Sequence, residues 1–246
     1  MRVVGLIPAR LESSRLPEKA LVDICGLPMI VHTYKRALLA QTLDDVFVAT
    51  DSGRIRSVVE QHGGKVIMTS RDHKTGSDRL AEACKEIDCE IVVNIQGDEP
   101  LVNPDHIDAI VEPLLLDTSV QIAVGVTQYS KKNSPSDIKA VLDLNNDIMY
   151  CSRTDLPSDA RTAVEKMLKM SFIVPFRKDF LIQYASWSPT PLEQIEYNEY
   201  LRVLEHGVKI RGVHVDDAKI SVDTPDDLEE VRILMRSDSI YNLYIK

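Results

Sequence analysis

Short apolar runs alternate with longer amphipathic stretches through the first 118 residues. RVVGLI (2–7), VFVAT (46–50), KVIMT (65–69) and EIVVNI (90–95) read as strands. They are continuous rather than alternating in polarity, the pattern of strands covered on both faces. Between them, PMIVHTYKRALLAQ (28–41) has apolar positions at helical spacing and Pro28 in its first turn. A second helix is expected to be capped by Asp51 or Ser52, to run through Val59 and to stop at Gly63–Gly64. TGSDRLAEACKEI (75–87) opens on small polar capping residues, and PDHIDAIVEPLL (104–115) reads as the next helix. This alternation predicts an α/β fold, a doubly wound and mostly parallel sheet of Rossmann-like type.

After Thr118 the rhythm changes. VQIAVGVTQ and KAVLDL read as strands, and NNDIMYCSR as a turn at Asn145–Asn146 with a returning strand. Residues 154–168 are polar and carry Pro157, so a flexible connection or a short helix is expected there. SFIVPF reads as one strand and PLEQIEYNEYLRVLEHG as one long helix closed by Gly207. VKIRGVHV is a strand. DTPDDLEEVRILMR is a helix with Thr224 as cap, Pro225 first and acids in its first turn. The mixed strands predict an insertion in the parallel core that serves as a dimerisation arm.

Composition narrows the class. At 246 residues, 44% hydrophobic and 27% charged, the chain is an ordinary globular protein. No run approaches the ~18 apolar residues of a membrane span. The N-terminus reads as a first strand rather than a leader, so a cytoplasmic protein with no membrane partner is expected. A net charge of −9 argues against a nucleic-acid partner, which needs a basic face. Cys25, Cys84, Cys89 and Cys151 form no C-x-x-C pair, and no histidine cluster completes a zinc site, so reduced thiols are expected.

Against that acidic background, IPARLESSRLPEKAL (7–21) places Arg10, Arg15 and Lys19 in the first loop. In open α/β sheets ligands bind beyond the carboxyl ends of the strands, where this loop lies. Two guanidinium forks and one ammonium suit a triphosphate. The loop matches neither G-x-x-x-x-G-K-[ST] nor G-x-G-x-x-G. QGDEP (96–100) ends an apolar strand, which places Asp98 at the same edge to hold Mg²⁺. An ordinary solvated turn fits that motif as well. Asp223, in VDTPDD, is either a capping element or the second carboxylate of a metal site.

IPARLESSRLPEKAL, DHKTGSDR (72–79), NIQGDEP and VDTPDDL stand in the order and spacing of bacterial cytidylyltransferases that make CMP-activated ulosonic acids. GLPMIVHTYKRA, SRTDLP, SPTPLEQIE and LRVLEHGVKI are similar too, so the resemblance runs from Val3 to about Arg232. It is strongest to the 3-deoxy-manno-octulosonate (Kdo) cytidylyltransferases. The resemblance implies attack of the sugar acid's anomeric hydroxyl on the α-phosphorus of CTP, with pyrophosphate leaving and Mg²⁺ as cofactor. It implies catalytic roles for Arg10, Lys19, Asp98 and Asp223, the two aspartates as metal ligands. It implies CTP contacts from Pro8, Ala9, Arg10, Ser14, Arg15, Lys19, Arg71, Ser77, Arg79 and Gln96. The sugar acid is expected to meet Gln96, Arg153, Glu196 and Tyr200, with Arg153 facing its carboxylate. A homodimer follows from the same likeness. The whole of 1–246 is then one domain, with 1–118 mainly nucleotide-binding and 119–215 supplying sugar and dimer contacts.

The sugar half departs from that pattern. Family members carry a His and a Tyr on the strand matched by KMSFIVPF, and Glu-Gln where this chain has Glu199–Tyr200. The acceptor therefore ranges over Kdo, 8-amino-Kdo and a sialic-type acid. Two other classes compete: a sugar 1-phosphate nucleotidyltransferase, whose loop usually reads G-x-G-x-R, and a catalytically silent nucleotide-binding subunit. The retained Lys19, Asp98 and Asp223 argue against the silent subunit.

Overall fold

The computed structural model describes residues 1–245 apart from Ser14, Lys74 and 217–219. The chain opens with β1 (Val3–Ala9), a hairpin of β2 (Asp23–Ile24) and β3 (Leu27–Pro28), and α1 (Met29–Ala37). There follow β4 (Asp45–Thr50), α2 (Gly53–Gln61), β5 (Val66–Met68), α3 (Gly76–Ala83), β6 (Ile91–Ile95) and α4 (Pro104–Leu116). The second half holds β7 (Ala123–Tyr129), β8 (Lys139–Leu142), β9 (Ile148–Ser152), β10 (Met167–Ser171), β11 (Ile173–Arg177) and α5 (Lys178–Ser186). It closes with α6 (Pro191–Glu196), α7 (Tyr200–Glu205), β12 (Arg211–His214), α8 (Pro225–Arg236) and α9 (Tyr241–Tyr244).

The first sheet runs β11-β6-β1-β4-β5, with β6, β1, β4 and β5 parallel and β11 antiparallel on the edge. The expected doubly wound, mostly parallel sheet is present. Its strands send alternate residues to two cores: Val4, Leu6 and Val92 to one, Val3, Ile7, Ile91 and Val93 to the other. The second sheet runs β12-β7-β10-β8-β9 and is mostly antiparallel. It meets the first where Ile122 pairs with Phe176.

Local capping follows the sequence. Ser52, not Asp51, caps α2 by accepting from Ile55 N, which leaves Asp51 free to pair with Arg79 at 2.9 Å. Thr75 and Thr224 open α3 and α8 with reciprocal bonds to Asp78 and Asp227. Pro28 stands one residue before α1 in extended conformation.

Two expected elements are each split. SFIVPF is the junction of two strands: Ser171 pairs with Gly125 in the second sheet and Ile173 with Ile95 in the first. Pro175, which has no N–H, fits the edge position of β11. PLEQIEYNEYLRVLEHG breaks between α6 and α7, where Tyr197 is left-handed (φ 49°). Tertiary bonds prevail there over helical propensity: the carbonyls of Glu196 and Tyr197 accept from Arg153, and Asn198 Nδ2 donates to Cys151 Sγ at 3.1 Å. Residues 154–166 hold no helix, and β10 begins two residues inside the expected connection. Helices α5 and α9 and the β2–β3 hairpin were not expected.

Arg36 ties these parts together behind the first sheet's carboxyl edge. Its side chain is 1% exposed, donates from Nε to Val102 O at 2.7 Å and pairs with Asp238 at 2.8 Å. The C-terminal segment is thereby fastened to the chain just beyond QGDEP. Burial of Asp238 opposes ionisation, but the Arg36 bond and charge prevail and hold its carboxyl below the ordinary 3.8. A depressed carboxylate stabilises the fold above its unfolded pKa and loses that contribution as pH falls. Asp238→Asn is expected to cost roughly 1–3 kcal/mol at pH 7. In urea unfolding the difference from the parent should shrink as pH drops below 3.8.

Candidate active site

At the carboxyl edge of the parallel sheet, remote segments of the chain line a cavity of about 310 Å³. The loop after β1 brings Arg10, Arg15 and Lys19; the loop after β6 brings Gln96 and Asp98; the segment entering α8 brings Asp223. Gly97 lets the two loops approach closely, since a Cβ there would lie 3.0 Å from Pro8 O and 3.1 Å from Ile30 Cδ1, tighter than ordinary contact. Thr33 Oγ1 donates to Gly97 O at 3.3 Å, and Val222 N donates to Asp98 O at 2.9 Å. Backbone bonds, not only charges, therefore set the two aspartates side by side.

Lys19 Nζ lies 2.6 Å from Asp98 Oδ2 and 3.0 Å from Asp223 Oδ1, and Arg15 Nη2 reaches that same Asp223 oxygen at 2.8 Å. Burial opposes the charge on Lys19, but the two carboxylates outweigh it and raise its pKa. Beside them, desolvation and then the Asp98 charge push the Glu99 carboxyl up to about 7, and Ser221 Oγ donates to it at 3.3 Å. The oxygen-only pair of Asp98 and Asp223 suits a hard cation. No third His, Cys, Asp or Glu completes a metal group among the described residues. That donor set fits Mg²⁺, which takes one or two carboxylates and fills its shell with water and phosphate.

Of the residues expected here, Pro8, Ala9, Arg10, Arg15, Lys19, Arg79, Gln96, Asp98 and Asp223 line the cavity. Ser14 lies outside the described residues. Arg71 is exposed and 3.7 Å from Asp51, away from the lining. Ser77 sits behind the wall, its hydroxyl donating to Glu199 at 3.0 Å. His73, Thr75 and Gly76 also line the cavity, and sequence reasoning did not single them out. The signal was available: Thr75 and Gly76 begin α3, and a helix N-terminus facing a cavity favours an anion.

Three of the residues expected to meet the sugar acid do not line this cavity. Arg153 donates from Nε to Glu196 O at 2.7 Å, from Nη1 to Pro135 O at 2.9 Å and from Nη2 to Tyr197 O at 3.0 Å. With each guanidinium nitrogen holding a carbonyl, it clamps the α6–α7 break to the β7–β8 loop, at odds with the expected bidentate grip on a sugar carboxylate. Glu196 accepts from Ser152 Oγ at 2.6 Å, Tyr150 Oη at 3.3 Å and Arg153 N at 2.9 Å. Burial opposes its ionisation, but these bonds lower its pKa. Tyr200 is buried, its ring stacked on Phe172 with centroids 6.2 Å apart.

A parallel α/β sheet whose carboxyl edge gathers Arg10, Arg15, Lys19 and Arg79 around Asp98 and Asp223 defines a nucleotide-handling enzyme of the nucleotidyltransferase type. Residues 4–210 match the cytidylyltransferase family, and the chain belongs to it. A 3-deoxy-manno-octulosonate cytidylyltransferase of Geotalea uraniireducens (strain Rf4) is 43% identical over 94% of this chain and 98% of its own. One of Geobacter sulfurreducens is 42% identical over 94% and 98%. The solved structure of a CMP:2-keto-3-deoxy-manno-octonic acid synthetase complexed with CTP superposes with a TM-score of 0.94 at 38% identity, covering 96% of this chain and 99% of that one. A Leptospira borgpetersenii cytidylyltransferase shares the fold at TM-score 0.67 and 18% identity, over 97% of this chain and 88% of its own.

The bonding of Arg153 separates two roles. As a clamp, Arg153→Ala should lower stability by roughly 1–3 kcal/mol, since carbonyls bound to a charged donor lose their partner. A side chain that only met a bound carboxylate would leave the urea midpoint unchanged and raise the acceptor KM alone.

Proposed function

We propose that this enzyme transfers the cytidylyl group of CTP to a Kdo-like ulosonic acid, releasing pyrophosphate, with Mg²⁺ as cofactor. The observation that carries the reading is the facing of Arg10, Arg15 and Lys19 against Asp98 and Asp223 across one cavity. The relatives named above support the nucleotide and the acid class. Catalysis then rests on positioning and charge neutralisation. The loop cations take the β- and γ-phosphates, which become the leaving pyrophosphate. Gln96 and Arg79 line the junction of nucleotide and acid. Asp98 and Asp223 would hold Mg²⁺, which when bound supplies charge at the α-phosphate and Lewis-acid activation of the attacking hydroxyl.

The buried Tyr200–Phe172 stack favours a second reading of the acceptor. Apolar bulk stands where family members present polar side chains, and Met170 and Val174 of the matched strand are also fully buried. A hydroxyl that lost its partner costs about 1–3 kcal/mol, one to two decades in rate. A differently decorated acid, 8-amino-Kdo or a sialic-type acid, is then used better than Kdo. The 119–215 part supplies acceptor and dimer contacts in this reading. Exposed Met149, Ile195 and Tyr197 support a homodimer face there. Four free cysteines are in keeping with a cytoplasmic site of action. Among the described residues no helix is long and apolar enough to cross a membrane.

Pyrophosphate release from four nucleoside triphosphates against a panel of sugar acids tests the assignment. CTP with a ulosonic acid should be the active pair. Asp98→Asn should cost at least about a hundredfold in kcat with the circular dichroism unchanged, because it removes a cation-binding charge at the reacting phosphate. Near-parental turnover would overturn the assignment. For the acceptor, kcat/KM for Kdo, 8-amino-Kdo and a sialic acid should change rank between the parent and Tyr200→Gln. An unchanged ranking removes Tyr200 from acceptor choice.

A further inference from the structure

The cations assigned to the triphosphate are engaged with the carboxylates assigned to the metal. Lys19 bridges Asp98 and Asp223 at 2.6 and 3.0 Å, and Arg15 holds Asp223 at 2.8 Å. Two positive and two negative groups neutralise one another inside the cavity. Arg10, by contrast, pairs with no carboxylate among the described residues and is left to meet an incoming anion. The Lys19 and Asp98 side chains are only 18% and 27% exposed, so solvent screens their pairing weakly. An ammonium within hydrogen-bonding distance of both carboxylates competes with any divalent cation for the same oxygens. It also has another partner within its role, the phosphates.

We propose that Lys19 is a tethered counter-cation that keeps a divalent metal off Asp98 and Asp223 until a triphosphate draws the ammonium away. Metal and nucleotide then load as a pair, and neither carboxylate is left bare when the site empties. The inference rests on the metal and nucleotide reading given above and adds an order to it. By linkage, whatever factor CTP gains for metal affinity, metal gains for CTP affinity.

The test uses the metal-stripped full chain with Mn²⁺ as probe, bound metal being read from loss of the free-ion electron paramagnetic resonance signal. Without nucleotide, Lys19→Met should bind Mn²⁺ about tenfold more tightly than the parent, since a competing charge a few ångströms away is gone. Lys19→Arg, which keeps a charge, should remain close to the parent. Adding Asp98→Asn to Lys19→Met should remove the gain. The ratio of Mn²⁺ affinities with and without CTP, corrected for the complex formed in solution, should be smaller in Lys19→Met than in the parent. Circular dichroism and urea midpoints check folding, with Lys19→Gln as the alternative neutral variant. Equal Mn²⁺ binding in parent and Lys19→Met overturns the inference and leaves the metal assignment standing, whereas a gain that survives Asp98→Asn overturns the inference and removes Asp98 from the metal site. Failure of every variant to bind Mn²⁺, with or without CTP, overturns both.

Discussion

One ammonium holds together parts of the chain that are far apart in sequence. Lys19 comes from the loop after β1, Asp98 from the loop after β6 and Asp223 from the approach to α8. Opposed charges at this spacing attract by a few kcal/mol in partly buried surroundings, and each costs energy to take out of water. The cluster is tolerable because it is neutral and because its members remain partly wet. Any process that moves Lys19 must supply another cation to the aspartates, and any process that claims the aspartates must offer Lys19 another anion. A triphosphate with a divalent metal satisfies both conditions together.

The fold makes that meeting unavoidable. Parallel pairing of β1 with β4 and β6 sends the loops after β1 and β6 to one edge. The third segment is pinned to that edge by Val222 N on Asp98 O, and α8 packs its Leu228, Val231 and Met235 against Ile24 and Leu101. Behind the edge, Arg36 joins the chain at Val102 to Asp238, and His32 joins Ile24 O to Tyr244 Oη at 2.7 and 2.8 Å. The C-terminal residues thus brace the wall of the cavity without entering it.

The first half was legible in the sequence because its determinants are local. Continuous apolar strands, Thr75 and Thr224 at helix starts and a cationic stretch after the first strand each leave a mark within a few residues. What the sequence could not show was set by distant partners. The helical period through 191–207 is unbroken, yet Arg153 draws the carbonyls of Glu196 and Tyr197 out of the ladder. SFIVPF is one apolar run, yet its two ends pair in different sheets. Motif likeness put Ser77 and Arg153 at ligands, and here the Ser77 hydroxyl is bonded to Glu199 and the Arg153 guanidinium to backbone carbonyls, contacts set by distant partners. His73 was missed for the opposite reason: nothing in its type announces a cavity wall.

The cations at the sheet edge and those around the α6–α7 break are held in different ways. In the second half, buried Lys139 donates to the carbonyls of Ser134, at 2.7 Å, Asp137, at 2.9 Å, and Arg153, and Arg153 in turn holds four more. A backbone carbonyl cannot leave its place without unfolding the loop that carries it, so these charges are fixed and their work is to hold shape. In the first half, Lys19 and Arg15 rest on carboxylates at the end of side chains, which exchange one counter-ion for another at little structural cost. Charges held by carboxylates can change partners during a reaction, and charges held by carbonyls cannot.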